Sequence, residues 1–310
     1  MKVVFFGSPA IALPALNSLL NAGHEIKLVI TQPDKPAGRG RKFTPPPVKV
    51  FAENHGLPCL QPEKIRKDEK TLELIKSANP EVNIVVAYGQ IIPASIIYLP
   101  PYKSLNLHFS LLPKYRGAAP VQWAILKGEN LTGVTIFQLN EKMDEGPILT
   151  QVETPILPRE NAYELEIRLS HLGAKLLIDT LNNLDRLIPK EQEHSQATYA
   201  PKLTKEQGKI NWQESAELID RQVRAFFPWP GAFTYLGNQR LEILVGQAIP
   251  GLMPSTRPGE IIQIDKSGIY VGCGQNGVYL IEKIKPEGKK EMFAYAYSLG
   301  GKIKPGMLFS

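Results

Sequence analysis

The sequence predicts two domains: an α/β domain with helices packed on a mainly parallel sheet, then a small, mainly β domain read as an antiparallel barrel. Three observations predict this. In the first half, short apolar runs alternate with helical patterns (VVFF, Ala10 to Ala22, IKLVIT, Pro47 to His55, Thr71 to Ala78, VNIVVAY). Strands that are apolar on both faces belong to a parallel sheet buried between helices. From Ile210 onward, strand-like runs recur at intervals of about ten residues between turn signals, the pattern of a small barrel. The polar stretch IPKEQEHSQATYAPKLTKEQGK, poor in large apolar residues, separates the two patterns.

The elements follow in order. VVFF is the first strand; Ser8 is expected to cap the helix Ala10 to Ala22, and Gly23 to end it in a left-handed turn. The GSPA turn lacks the spacing of GxGxxG, so no dinucleotide site is expected. IKLVIT is the second strand. After it comes Thr31 to Lys49, TQPDKPAGRGRKFTPPPVK, where Lys35, Arg39, Arg41, Lys42 and Lys49 face Asp34 alone. Its prolines argue against strand or helix, and Gly38 and Gly40 flank Arg39, so a long mobile basic loop is expected.

Val82 to Tyr102 carries no charge, yet Asn83, Gln90, Pro93, Pro100 and Pro101 suit a buried strand, a loop and a short helix better than a membrane span. Further strands are expected at Leu105 to His108 and Gly133 to Leu139, with a helix from Pro120 to Lys127 between them. Arg159 to Leu184 has leucines at spacings of three and four and reads as a long helix. The expected boundaries are 1–189, a linker at 190–208, and 209–310. The second domain opens with a helix, Ser215 to Phe226, and continues with AFTYL, RLEILVG, GEIIQI, GIYVGC and VYLIEKI. Trp229 and Tyr235 are expected to pack inside the barrel.

Composition bounds the function only loosely. The chain has 310 residues, 43% of them hydrophobic, and a formal net charge of +6, which favours polyanionic partners without requiring them. Cys59 and Cys273 stand far apart with no Cys or His neighbours at ligand spacing, so no metal site is expected, and a reducing cytoplasm fits. Pro9 and Pro14 interrupt the apolar N-terminus, which reads as strand and helix and not as a leader. With no long exposed apolar helix in evidence, a monomer is expected.

The residues that bear chemistry concentrate in SLNLHFSLLPKYRGAAP. Ligands of open parallel sheets sit beyond the carboxyl ends of strands, and Asn106 and His108, one side-chain period apart at such an end, share a face. A satisfied structural histidine fits this position as well as a catalytic one. Asp144, in NEKMDEGPIL, is compatible with a solvated turn or with a partner for His108. The basic loop reads as a solvated surface segment or as a capture device for phosphates, which guanidinium groups bind in bidentate fashion.

Together, TQPDKPAGRGRK, VVAYGQIIP, NLHFSLLPKYRGAAPVQWAI, GVTIFQLNEKMDEGPIL and RAFFPWPGAF resemble the methionyl-tRNA formyltransferase family along essentially the whole chain. Asn-x-His-x-Ser-Leu-Leu-Pro with a downstream Asp is common to formyltransferases that use 10-formyltetrahydrofolate. The resemblance implies a Rossmann-like first domain, an oligonucleotide-binding (OB)-fold-like barrel, and formyl transfer to the amine of methionine on initiator tRNA. It implies no metal. It makes Asn106, His108 and Asp144 the catalytic trio and Ser110, Leu111, Leu112 and Pro113 the folate-binding segment. Arg39, Arg41 and Lys42 would meet the tRNA acceptor end. Phe109 departs from the family pattern, where a small residue is usual. Amino-sugar formyltransferases and 10-formyltetrahydrofolate hydrolases share the trio; the basic loop favours the tRNA acceptor over a sugar or water. A non-catalytic RNA-binding module would have no use for the trio and SLLP together.

Overall fold

A computed structural model describes residues 1–37, 42–250, 257–301 and 303–310. The chain divides into two compact units. One comprises Met1–Pro120, Leu131–Pro155 and Glu166–Ala200; the other comprises Val121–Asn130, Ile156–Leu165 and Pro201–Ser310.

In chain order, through the end of the first unit, the elements are β1 (Lys2–Gly7), α1 (Leu13–Asn21), β2 (Glu25–Ile30), β3 (Lys35–Ala37), β4 (Lys42–Thr44), α2 (Pro47–Asn54), β5 (Cys59–Leu60), α3 (Glu69–Ala78), β6 (Val82–Val86), α4 (Ala94–Ile97), β7 (Ser104–His108), β8 (Arg116–Gly117), α5 (Pro120–Lys127), β9 (Leu131–Gln138), β10 (Ile148–Pro155), α6 (Ala162–Asn182) and β11 (Tyr199–Ala200). Among the described residues the main sheet has seven strands in the order β10-β9-β7-β6-β1-β2-β5. β7 through β5 run parallel, and β9 and β10 add an antiparallel edge. This is the mainly parallel sheet that the apolar runs predict, in the Rossmann-like form that the resemblance implies. Every residue of β6 is buried, and Val4, Phe6, Ile30, Ile75, Val85 and Ile96 belong to one core cluster, which is why these strands carry no polar alternation.

Gly23, at φ +77°, ends the first helix as expected. Ser8 does not cap it. Its hydroxyl instead accepts from the Gln32 amide at 2.9 Å and donates to the Tyr88 carbonyl at 3.4 Å, joining the loops that follow β1, β2 and β6. The basic segment also differs from expectation, since β3 and β4 pair as an antiparallel ribbon. A two-stranded ribbon is all edge, and alternate N–H groups face away from the partner, so Pro36 need cost no ladder bond. Gly38, Arg39, Gly40 and Arg41 lie outside the described residues. β10 was not expected; ILTQVETP is half exposed along an edge and lacks the apolar run of the central strands.

The second unit, which also takes in nearly all of α5, continues with α7 (Ala216–Ala225), β12 (Ala232–Leu236), β13 (Gln239–Ile249), β14 (Ile261–Asp265), β15 (Gly268–Gly272), β16 (Val278–Pro286), β17 (Met292–Phe293) and α8 (Ala294–Ser298). Ser215 caps α7 by accepting from the Leu218 amide. The antiparallel order is β12-β13-β16-β15-β14, with β17 on β16. The last residues close it. Phe309 bridges Leu236 beside one edge and Leu308 bridges Glu260 beside the other, so the sheet wraps into a barrel around Ile243, Val271, Tyr279, Ile281 and Phe309.

Trp229 does not pack inside: it is 47% exposed in the Pro228-Trp229-Pro230 turn between α7 and β12. On β12 the inward residues are Ala232 and Thr234, so the period of two turns Phe233 and Tyr235 outward.

Candidate active site

β7 pairs in parallel with β6 and antiparallel with β9, which sets Asn106 opposite Phe137 and His108 opposite Thr135. Asn106 and His108 therefore project to the same face. His108 is buried, at 6% exposure. Its Nε2 lies 2.9 Å from the Tyr115 carbonyl oxygen. A carbonyl can only accept, so Nε2 carries the hydrogen and the neutral ring keeps its lone pair on Nδ1. That Nδ1 faces the Asp144 carboxylate, with Oδ2 at 3.8 Å. Asn106 is half-buried, and among the described residues its side-chain amide makes no hydrogen bond, leaving its donors uncommitted.

Asp144 arrives on the β9–β10 connection. Its Oδ2 accepts from the Gly117 amide at 2.8 Å, a bond that fixes the carboxylate near His108. Gly117 has φ +124°, and a Cβ there would lie 2.6 Å from the Ala200 carbonyl oxygen, because β8 runs against β11. Only glycine permits that approach. Asp144 is itself left-handed, at φ +53°.

The Ser110–Pro113 segment is braced from within. The Thr135 hydroxyl donates to the Ser110 carbonyl at 2.6 Å and accepts from the Leu112 amide at 3.2 Å. Gln151 donates to the Leu112 carbonyl at 2.8 Å and to Thr135 Oγ1 at 2.9 Å. The Ser110 hydroxyl donates to the Lys114 carbonyl at 2.7 Å. Leu112 is 3% exposed and belongs to the core, as does Phe109; Leu111 is half-buried. The loop after β6 supplies the uncharged exposed surface, with Ile91 60% exposed.

Sequence reasoning missed the residues that hold Asp144. Arg116 is almost wholly buried. Its guanidinium donates to Gln192 Oε1 through Nε (3.0 Å) and Nη2 (2.7 Å), meets His194 Nδ1 at 3.1 Å and pairs with Glu145 at 3.4 Å. Gln192 and His194 lie in the polar stretch between the two patterns, where nothing apolar or periodic marks them.

At the base of the basic ribbon, Asp34 accepts from Gln61 at 2.8 Å and pairs with Lys49 at 3.0 Å. The Gln61 hydrogen bond first, and then Lys49, hold its carboxyl below the usual carboxylate range. Lys35 donates to Gln32, which donates on to the Tyr88 carbonyl at 2.8 Å. Of the three expected nucleic-acid contacts, Arg39 and Arg41 lie outside the described residues, and Lys42 is described through its backbone in β4. Phe43, next to it, is 72% exposed.

Residues 1–181 match the formyl transferase family model, and residues 202–300 match that of the formyl transferase C-terminal domain. A methionyl-tRNA formyltransferase of Citrifermentans bemidjiense is 44% identical over 99% of this chain and 96% of its own. One of Thermus thermophilus is 44% identical over 99% and 98%. Among solved structures, a Helicobacter canadensis N-formyltransferase in complex with folinic acid and dTDP-3-aminofucose superposes with a TM-score of 0.69, covering 91% of this chain and 98% of that one, at 18% identity. HypX from Aquifex aeolicus in complex with tetrahydrofolic acid superposes at 0.66, covering 98% and 48%, also at 18% identity. These two share the fold.

Proposed function

The chain belongs to the methionyl-tRNA formyltransferase family, and on that premise we propose that it transfers the formyl group of 10-formyltetrahydrofolate to the amine of methionine on initiator tRNA, in the cytoplasm, at the start of translation. The observation that carries the reading is the convergence of His108 and Asp144 at 3.8 Å on the face to which Asn106 turns an uncommitted amide.

The folate supplies the formyl carbon and a nitrogen leaving group. In the net step a carbon–nitrogen bond to the folate breaks, one to the methionine amine forms, and a proton passes from the amine to the departing nitrogen. Asn106 donates from its side-chain amide to the carbonyl oxygen as that oxygen gains charge. Such a fixed donor lowers the barrier by roughly 3 kcal/mol. His108 moves the proton: its Nδ1 lone pair takes hydrogen from the attacking amine and returns it to the leaving nitrogen. Asp144, held by the Gly117 amide, stabilises the ring while it is charged.

Ser110–Pro113 and the uncharged loop after β6 form the walls against which the folate ring lies, with backbone groups as its polar contacts. Thr135 and Gln151 keep the first of these walls in place. Arg39, Arg41 and Lys42 meet the phosphates of the acceptor end, and the ribbon that carries them is anchored by the Asp34 to Lys49 pair. The test is direct: full-length chain, 10-formyltetrahydrofolate and charged initiator tRNA should yield formylmethionine. Product on an amino sugar, or free formate with no formylated tRNA, would replace this acceptor with another.

A further inference from the structure

We propose that Gln192, backed by the buried Arg116, is a positioning residue that holds Asp144 in the left-handed conformation aiming its carboxylate at His108. The proposal rests on the reading of Asp144 as the partner of His108.

A non-glycine backbone at φ +53° is in a sparsely populated region, and such a residue persists where its surroundings over-determine it. Gln192 supplies that determination. Its Nε2 donates to the Asp144 carbonyl at 2.9 Å and to the Gly146 carbonyl at 2.8 Å, gripping the loop on both sides of Glu145. Its Oε1 accepts twice from Arg116. Since guanidinium is donor-only and planar, it forces the oxygen of the amide to its own side and the NH2 toward the two carbonyls. The remaining guanidinium nitrogen, Nη1, pairs with Glu145, the residue between the two gripped carbonyls, at 3.4 Å.

The contacts therefore form a closed ring of Arg116, Gln192 and residues 144–146. Gln192 is 5% exposed and Arg116 1%, so water does not substitute for either. A buried arginine gives no packing advantage over an apolar residue of similar volume; orienting one amide is a task that needs its fork. The carboxylate of Asp144 is thus fixed from two ends, the Gly117 amide on its oxygen and Gln192 on its backbone.

The test compares wild type, Gln192→Ala, Gln192→Glu, Asp144→Ala and the Gln192→Ala/Asp144→Ala double variant, each as the full chain. Gln192→Glu keeps acceptors for Arg116 but cannot donate to the carbonyls, so it separates the fold from the positioning and decides alone if Gln192→Ala fails to fold. We expect both single Gln192 variants to lose kcat by about 10- to 100-fold, with KM for folate and tRNA within about twofold. The Gln192→Ala loss should vanish in the Asp144→Ala background, because coupled residues are not additive. Activity within twofold of wild type, a loss carried by KM, or an undiminished loss in the Asp144→Ala background overturns the proposal. Independently of turnover, a crystal structure of either Gln192 variant should place Asp144 outside the left-handed region with its bond to the Gly117 amide broken. An unmoved Asp144 overturns the strut, whereas a wild-type chain that forms no formylmethionine overturns the reading of function alone.

Discussion

His108 gives its Nε2 hydrogen to the Tyr115 carbonyl at 2.9 Å, and that one bond decides which ring nitrogen is free for chemistry. With Nε2 committed, Nδ1 is the nitrogen left to serve as base in the proposed reaction, and it lies on the Asp144 side. His108→Ala should lower kcat by about 10²- to 10⁴-fold. The fold should survive, since the lost hydrogen bond contributes about 1 kcal/mol. Steady-state rates and a thermal melt check both. A variant that keeps more than half the wild-type rate would show that another group moves the proton.

The role proposed for Asn106 is different, and its variant should fail differently. Removing one preorganised donor to a developing oxyanion costs about 10²- to 10³-fold in kcat, so Asn106→Ala should lose that much while its pH profile keeps its shape. Asn106→Asp, which puts negative charge where the amide points, should be worse than Asn106→Ala. The reverse order, measured in the same assay, would remove Asn106 from the charge-stabilising role.

What the sequence made legible was whatever local periodicity or residue chemistry encodes. β1, β2 and β6 are predominantly apolar runs, and Asn106 with His108 at a strand end is a pattern visible without coordinates. β10 escaped because half of it faces solvent, and the β3–β4 ribbon because proline reads as a strand breaker where no ladder bond is at stake. Trp229 misled because an aromatic in a β domain reads as core, while its two flanking prolines hold it in a turn. Asp144 could be named but not placed, its partner lying 36 residues upstream in the chain. Gln192 left no signal, since one polar residue in a polar stretch is distinguished only by what it meets in space.

Gly133 tests the wall assigned to the folate. On β9, a Cβ at this position would lie 2.2 Å from the Val152 carbonyl oxygen and 2.5 Å from Leu111 Cδ2. The backbone oxygen belongs to the β10 ladder and yields less readily than the leucine, so Gly133→Ala should push Leu111 and the Ser110–Pro113 segment. The expected result is a several-fold rise in KM for 10-formyltetrahydrofolate together with a loss of about 1–3 kcal/mol in stability. Denaturant unfolding and folate titration measure the two separately. A lower stability with unchanged folate KM would take this segment out of the folate site.

Cys273 offers a pH test of the barrel. Burial pushes its thiol up to about 12, and the side chain is 1% exposed. The folded state therefore keeps a proton that the unfolded thiol, near a pKa of about 8.5, gives up. Its contribution is complete below that value and falls as pH rises toward 12. Going from pH 7.5 to 10.5 should cost wild type about 3 kcal/mol more than Cys273→Ala, read as the difference between denaturant curves. Equal losses in both chains would mean the thiol ionises in place. At pH 8, a thiol reagent should reach Cys273 only after unfolding.

The basic ribbon makes the last prediction, because electrostatic binding to a polyanion leaves a quantitative signature. Each cation that neutralises a phosphate releases counterions, so log affinity falls with log salt in proportion to the number of such contacts. Arg39→Ala and Arg41→Ala should each weaken use of methionyl-tRNA and reduce that slope by about 0.7 to 0.9, leaving KM for the folate unchanged. Asp34→Ala should act by another route. It removes the partner of Lys49 and the acceptor of the Gln61 amide, freeing the ribbon at its base, so tRNA use weakens while the slope, set by phosphate contacts, stays near wild type. A tRNA KM insensitive to salt in the unaltered chain would leave the arginines without an electrostatic role. A slope altered by Asp34→Ala as much as by Arg41→Ala would show instead that the pair at the base, and not the arginines themselves, meets the phosphates.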